Sequence, residues 1–283
     1  MRVSRPDAAT FAERTARLLL ADEARHNLIL GLLGTLRRHP NVYPDHSLWL
    51  VEDDGGVVVG AALRTLPFRL VLARPATEAA LAALAEGIDE DVPGVVGAVP
   101  EVERFAETWV ERHAATAAIR MAQGVYALER VVSPPAPGGR ARPATAADRP
   151  LLLDWLVAFS RELGERAADE ETLNRAVDHR LGSADAGFLL WETEGVAVSL
   201  AGFGGETPSG VRIGPVYTPP EHRGRGYGTA VTAAVSAERL AAGRRFCFLY
   251  TDLSNPTSNS IYVKLGYRLV CESREFDFEP RPA

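Results

Sequence analysis

A proline- and glycine-rich segment near the middle of the chain is the feature that most restricts how this sequence folds. Residues 133–143 contain four prolines and two glycines. Proline has no backbone N–H to donate and glycine adds backbone freedom, so this composition predicts a linker rather than a helix or a strand. The linker separates residues 1–132 from residues 144–283, and each part is long enough to bury one hydrophobic core.

The predicted elements follow the same order on both sides of the linker. Hydrophobic periodicity predicts helical segments, a β-hairpin, a strand, a helix, a strand, a helix and a closing strand in each half. The first helical pattern runs over residues 7–38, and the two hairpin turns lie at residues 53–56 and 193–195. The halves share little residue identity, so this order indicates a repeat of architecture. We therefore predict two domains of the same α/β (α+β) class.

Composition and charge exclude several classes of protein. A net charge of −6 and a pI of about 5.6 argue against a general nucleic-acid binder. The longest apolar run, residues 57–63, is far shorter than the ~20 residues of a membrane helix. Two cysteines without a Cys-x-x-Cys pair, and an N-terminus without a signal sequence, predict a cytoplasmic protein. No His-Glu-x-x-His motif or Cys/His cluster is present, so we predict no metal site.

The most informative segment is residues 216–229, which predict a strand, a tight turn and the start of a helix. Glycines at 224, 226 and 228 allow a sharp turn and a close approach of backbone to ligand. Their N–H groups, with the positive end of the helix, would bind an anion, and Arg223 and Arg225 add charge suited to phosphate. The spacing matches neither the P-loop nor the dinucleotide glycine motif. Two alternatives to an anion site are a turn without a ligand and an Arg-Gly segment that binds nucleic acid. The acidic chain disfavours the second.

Two motifs in the second half resemble a known family. Residues 223–228, Arg-Gly-Arg-Gly-Tyr-Gly, resemble the [Q/R]-x-x-G-x-[G/A] signature of the GCN5-related N-acetyltransferases. Residues 255–267 resemble the helix of the same family with the pattern N-x-x-[A/N]-x-x-x-Y-x-K-x-G-[F/Y]. Residues 142–148 resemble the family's first strand and the start of its first helix. The resemblance covers residues 140–275. It implies two such domains in tandem, each a mixed, mostly antiparallel sheet flanked by helices.

The resemblance also implies a cosubstrate, acetyl-CoA, and a set of site residues. It assigns Tyr262 as the general acid for the CoA sulfur, with an aromatic packed on a helix face as the alternative. Asn255 and Asn259 would bind pantetheine, with helix capping as the alternative. The residues that it assigns to acetyl-CoA are Val216, Tyr217, Thr218, Arg223, Gly224, Arg225, Gly226, Tyr227, Gly228, Thr229, Asn255 and Asn259.

The first half resembles a degenerate copy of the same domain. At the position of the phosphate loop, residues 73–77 are Ala-Arg-Pro-Ala-Thr, without the glycines. At the position of the tyrosine helix, residues 105–109 contain no tyrosine. We therefore predict a catalytically silent domain without a CoA loop, which either covers its twin or forms a wall of the acceptor pocket.

The implied reaction is the direct transfer of an acetyl group from acetyl-CoA to an amine of a small molecule or a peptide. The attacking amine must lose a proton, but the strand position where several family members have a carboxylate is Arg212 here. Glu162, Glu206 and a water chain remain candidates for the base. The alternative function is a non-catalytic acyl-CoA-binding regulator. We predict neither nucleic acid nor membrane as partner; the acceptor, the acyl chain and a homodimer stay open.

Overall fold

The computed structural model describes residues 1–135, 137–164 and 169–281. Its backbone contacts divide the chain into two compact units. Unit 1 comprises Met1–Tyr126, Tyr250–Pro256 and the C-terminal residues from Leu269 on, and unit 2 comprises Ala127–Leu249 and Thr257–Arg268. This division differs from the predicted boundary, because the C-terminal strand joins unit 1 rather than the second half.

The elements alternate along the chain as the hydrophobic pattern predicts. Those before the linker are β1 (Arg2–Ser4), α1 (Ala8–Leu20), α2 (Asn27–Arg38), β2 (His46–Glu52), β3 (Val58–Thr65), β4 (Leu70–Leu72), α3 (Ala79–Gly87), β5 (Gly94–Ala98), α4 (Glu101–Arg112) and β6 (Ala115–Leu128). Those that follow are β7 (Arg140–Pro143), α5 (Arg149–Glu162), α6 (Glu170–Gly182), β8 (Gly187–Thr193), β9 (Val196–Gly204), β10 (Gly210–Tyr217), α7 (Tyr227–Ala241), β11 (Phe246–Asp252), α8 (Pro256–Lys264) and β12 (Arg268–Pro280).

Unit 1 contains a mixed sheet in the order β1-β2-β3-β4-β5-β12-β6. β4 and β5 are parallel, whereas β12 runs antiparallel to β5, with Ser273 opposite Ala98 and Asp277 opposite Gly94. Helices cover both faces, so β2 and β3 are buried almost along their whole length. One core contains Trp49, Phe105 and Phe276, and the other is built on α1 and α2.

Unit 2 contains a sheet in the order β7-β8-β9-β10-β11, in which only β10 and β11 are parallel. α5 and α6 pack on one face around Leu152, Val177 and Leu200. Two mixed, mostly antiparallel sheets flanked by helices confirm the predicted fold class. No helix in the described ranges is long and apolar enough to cross a membrane.

Two segments fold differently from the sequence expectation. The helical pattern over 7–38 is broken between α1 and α2, where the buried His26 ring bonds the Leu19 carbonyl through Nδ1 (2.9 Å). The linker is shorter than predicted, because Arg140–Pro143 forms the edge strand β7 against β8. Ala136, within that linker, lies outside the described residues.

The pairing of β12 with β5 predicts that the C-terminal strand stabilises unit 1. Phe276 is 7% exposed in the core cluster around Trp49, whereas Leu269 of the same strand is 51% exposed. Phe276→Ala should lower the free energy of unfolding by about 3–5 kcal/mol through the lost burial and the cavity left behind. Leu269→Ala, the matched control, should cost less than about 0.5 kcal/mol. Denaturation followed by tryptophan fluorescence measures both, and equal losses would contradict this role.

Candidate active site

The candidate site begins where β10 separates from its parallel neighbour. β10 pairs with β11 only from Gly210 to Arg212 in the described structure, and its register with β9 shifts between Ile213 and Val216. The Tyr217 carbonyl accepts a hydrogen bond from Ser199 Oγ on the β9 side (3.1 Å). Backbone groups of successive strand residues point to opposite sides, so the N–H and C=O of Val216 point away from β9. They are therefore available to a ligand that lies beside β10.

The loop after β10 presents a row of backbone donors. Gly224 and Gly226 have φ of +74° and +81°, a conformation that side-chain-bearing residues rarely adopt, and Gly226 caps the N-terminus of α7. The N–H groups of residues 225–229 donate to no acceptor in the part of the chain that the structure describes. The first N–H groups of a helix have no partner within it, and the helix end is positive. This is the local structure that binds phosphate in proteins.

The third glycine of the motif serves packing. A Cβ on Gly228 would lie 3.2 Å from Thr218 Oγ1, and this hydroxyl is in turn 2.8 Å from Ser199 Oγ. Gly228 therefore lets the first turn of α7 lie against the end of β10. Ser199 thus holds both Tyr217 and Thr218. The sequence did not predict this role, because the two partners lie 18 and 19 residues away along the chain.

The two arginines of the loop have different surroundings. Arg223 forms a two-pronged ion pair with Glu162 of α5, at 2.7 Å to each carboxylate oxygen, and donates to the Thr218 carbonyl (2.8 Å). Its guanidinium also lies 5.8 Å from the centre of the Tyr217 ring. Arg225 is exposed and forms no ion pair with any described residue. The charge available beside the free N–H groups is thus that of Arg225, while Arg223 holds the loop to α5.

Both carboxylates that the sequence offered as a base are held by arginines. Glu162 is bound to Arg223, and Glu206 forms a close ion pair with Arg244. Either carboxylate would have to leave its arginine to approach an acceptor amine.

Tyr217 contributes its backbone to the site and its ring to the core. The ring contacts Trp155 and Phe159 of α5 edge-on, at centroid distances of 6.1 and 6.3 Å. Burial, and then the charge of Glu162, raise the pKa of the Tyr217 phenol. The phenol therefore stays protonated and is not a base.

Tyr262 lies on α8 and is almost completely buried. Its ring contacts that of Tyr267 edge-on at 5.9 Å, and the Tyr267 hydroxyl lies 2.8 Å from Ser236 Oγ of α7. Burial raises the pKa of Tyr262 to about 12, so this phenol carries its proton throughout the neutral range. The Tyr267–Ser236 bond thus ties the chain that follows α8 to α7.

The remaining predicted residues lie at the start of α8. Asn255 is exposed and directly precedes the helix, and Asn259 lies one turn into it and is partly buried. Unit 2 contains every predicted site residue except Asn255, which belongs to the segment grouped with unit 1.

The corresponding backbone of unit 1 is already hydrogen-bonded. After β4, the Arg74 N–H donates to His26 Nε2 (3.0 Å) and the Ala76 N–H donates to the Val59 carbonyl (2.8 Å). Because Nε2 of His26 accepts the Arg74 N–H, it carries no proton; the ring is therefore neutral and donates to Leu19 through Nδ1, and burial lowers its pKa. A cavity of about 20 Å³ remains between Arg25, His26 and Arg74, which is room for about one water molecule.

A family model matches part of the second half of the chain. Residues 198–276, which include the glycine loop and α8, match the family model of the FR47-like protein. No curated protein matches the sequence.

Several solved structures have a similar fold over nearly the whole chain. A GCN5-related N-acetyltransferase from Sphaerobacter thermophilus is 17% identical, with a TM-score of 0.67, over 100% of this chain and 96% of that one. A tandem GNAT protein from the clavulanic acid biosynthesis pathway is 19% identical, with a TM-score of 0.61, over 100% and 99%. A Drosophila protein is 12% identical, with a TM-score of 0.73, over 99% of each chain.

Proposed function

This chain has the fold of a tandem GCN5-related N-acetyltransferase, and from that fold we propose that unit 2 transfers an acetyl group from acetyl-CoA to an amine. The proposal rests on the N–H groups of residues 225–229, which donate to no acceptor among the described residues. Five donors at the positive end of a helix, with Arg225 beside them, suit the pyrophosphate of CoA. The free backbone of Val216 suits the pantetheine amides. Cys247 and Cys271, both free and buried, fit the cytoplasm that we propose as its compartment.

The proposed reaction is a direct displacement at the thioester carbonyl. The amine nitrogen forms a bond to the carbonyl carbon, the carbonyl oxygen takes up negative charge, and the C–S bond then breaks. The Val216 N–H donates to that oxygen as the charge develops. Tyr262 gives its proton to the departing thiolate, and the amine loses one proton to a base. Water beside the loop, or Glu162 or Glu206 after separation from its arginine, accepts this proton.

The proposal is tested by a screen of amine acceptors with acetyl-CoA. Release of free thiol and a mass increase of the acceptor by one acetyl group are the expected result. Acetyl-CoA binding without transfer to any amine would instead support the regulatory alternative. The ion pairs of Glu162 and Glu206 are the observation that favours that alternative.

The glycine loop yields a prediction about cosubstrate affinity. Gly226→Val places a branched side chain at φ +81°, which costs about 1–3 kcal/mol of stability, and fills the space in front of the free N–H groups. We expect the Kd for CoA to rise about 10- to 100-fold, as when a hydrogen bond to a charged group is lost. Calorimetry measures this affinity and the stoichiometry, which should be about one CoA per chain because His26 and Val59 already bind the unit 1 amides.

Gly195→Val is the matched control for this prediction. Gly195 lies in the β8–β9 turn with φ +79° and, like Gly226, has no atom within 4 Å of its ideal Cβ. It should lose similar stability and keep the affinity of the unmodified protein. Equal affinities in the two variants, or two CoA molecules per chain, would contradict the assignment.

Tyr262 yields a prediction about rate and pH. Tyr262→Phe keeps the ring contact with Tyr267 and removes the proton donor, so kcat should fall up to about 10²-fold, the lower end of the range for general acid catalysis. The KM for acetyl-CoA should change little. Because the pKa of Tyr262 is raised to about 12, the phenol stays protonated and kcat should show no alkaline loss from this group up to about pH 10.

Tyr267→Phe is the control, because it removes the buried bond to Ser236 and lies outside the proposed chemistry. Its free energy of unfolding should fall by about 1–3 kcal/mol while kcat stays near the unmodified value. Steady-state rates and chemical denaturation give both quantities. A Tyr262→Phe enzyme that turns over at the unmodified rate would assign the proton to water.

A further inference from the structure

Arg212 of β10 has a charge that no described residue satisfies. It is partly buried, and its Nη1 atom is buried without a hydrogen-bond partner in the residues 1–135, 137–164 and 169–281. No ion pair of this side chain occurs in the same ranges. A buried donor without a partner costs free energy, and a cationic one costs more. Such a group needs a physical reason for its presence.

The strand register shows which face of the sheet Arg212 occupies. Arg212 is directly opposite Gly204 of β9, and residues two apart in a strand share a face, so Gly202 lies on the same face. A Cβ on Gly202 would lie 2.5 Å from Nη1 of Arg180, which belongs to α6. Arg212 therefore lies on the face that α5 and α6 cover.

The irregular stretch of β10 brings the catalytic end of the strand to this face as well. Tyr217 lies opposite Leu200 of β9 and contacts α5, although it is five positions from Arg212, an odd offset that in a regular strand would place the two side chains on opposite faces. The register shift between Ile213 and Val216 reverses the alternation. Arg212 and Tyr217 thus face the same helices, at most roughly 17 Å apart along the strand at 3.3 Å per residue.

The residues beside Arg212 on this face are closely packed. Gly202 and Gly204 present no side chains, and Arg180 and Ala186 occupy the positions that their side chains would take. Arg180 is held there by bonds to the carbonyls of Phe203 (3.3 Å) and Gly214 (3.0 Å), and its guanidinium lies 5.1 Å from the centre of the Phe188 ring. These bonds fix Arg180 on the same face of the sheet as part of the protein scaffold.

We propose that Arg212 binds a carboxylate of the acceptor, so that the substrate class of unit 2 is an amine that also carries a carboxylate. This inference rests on the proposed function, because it places the acceptor along β10 between Arg212 and the acyl group at Val216. A guanidinium presents paired N–H donors that match the two oxygens of a carboxylate. A single planar monoanion also balances the one unpaired charge, whereas a phosphate dianion would leave one negative charge over. Arg212 is therefore a specificity-determining residue.

The test compares pairs of amines that differ only in a carboxylate, such as an amino acid and the amine that lacks its carboxyl group. Calorimetry measures their binding to the full chain with CoA present, and thiol release measures turnover in the same samples. The carboxylate member should bind about 10- to 100-fold more tightly, the range for a hydrogen-bonded charge. Arg212→Met should abolish this difference, and Arg212→Lys, which keeps the charge without the fork, should keep only part of it.

Arg140→Met is the matched control. Arg140 is on the edge strand β7 and its side chain is 77% exposed, so its loss removes the same formal charge away from the proposed site. This variant should keep the full preference for the carboxylate member. A preference that survives in Arg212→Met and Arg212→Lys, or no preference in the unmodified protein, would overturn the proposal.

The two readouts separate this proposal from the proposed function. Carboxylate-dependent binding that requires Arg212, without thiol release from any amine, would support the anion site and contradict the transferase. Turnover of amines with and without a carboxylate at equal KM would support the transferase and overturn the assignment of Arg212. If Arg212→Met does not fold, Arg212→Lys and the comparison of acceptors on the unmodified protein still decide the question.

Discussion

The candidate site depends on the separation of β10 from β11 after three paired residues. Had the pairing continued, the ladder would satisfy the N–H and C=O of Val216 and no ligand could reach them. Ser199 holds the end of β10 to β9, because its hydroxyl binds the Tyr217 carbonyl and the Thr218 hydroxyl. Gly228 then allows α7 to begin directly against Thr218. The interrupted ladder at Val216 and the helix start at residues 225–229 thus provide two separate groups of backbone donors beside β10.

The same backbone logic separates the two halves of the chain. In unit 1, the N–H of Arg74 is bound by His26 and that of Ala76 by Val59, and the remaining cavity of about 20 Å³ suits water. His26 is a neutral ring because it donates through one nitrogen and accepts through the other. The residues that replace the glycines are therefore only part of the difference. In unit 1, a buried side chain has taken the kind of bond that we propose for the cosubstrate in unit 2.

The sequence predicts what is local and misses what is long-range. Repeated element order and the glycine spacing predict the fold class and the strand–loop–helix, since both depend on short-range periodicity and backbone freedom. The break at Ala21–His26 was missed because the His26 bond to Arg74 spans 48 residues. The place of β12 in unit 1 was missed because Phe276 pairs with Val95 from the far end of the chain. No spacing in the sequence shows such partners.

The arginines of unit 2 fall into two groups, those held by protein partners and those open to a ligand, and the loop motif alone does not show this. Arg223 is neutralised by Glu162 and holds the loop to α5, which leaves Arg225 as the charge beside the free N–H groups of the loop. On the α5–α6 face, Arg180 is held by two carbonyls, which leaves Arg212 as the cation without a described partner. Each pair therefore consists of one arginine that builds the protein and one that is open to a ligand. A cosubstrate rich in phosphate and an acceptor with a carboxylate would meet these two open charges at opposite ends of the β10 backbone, with the transferred group between them.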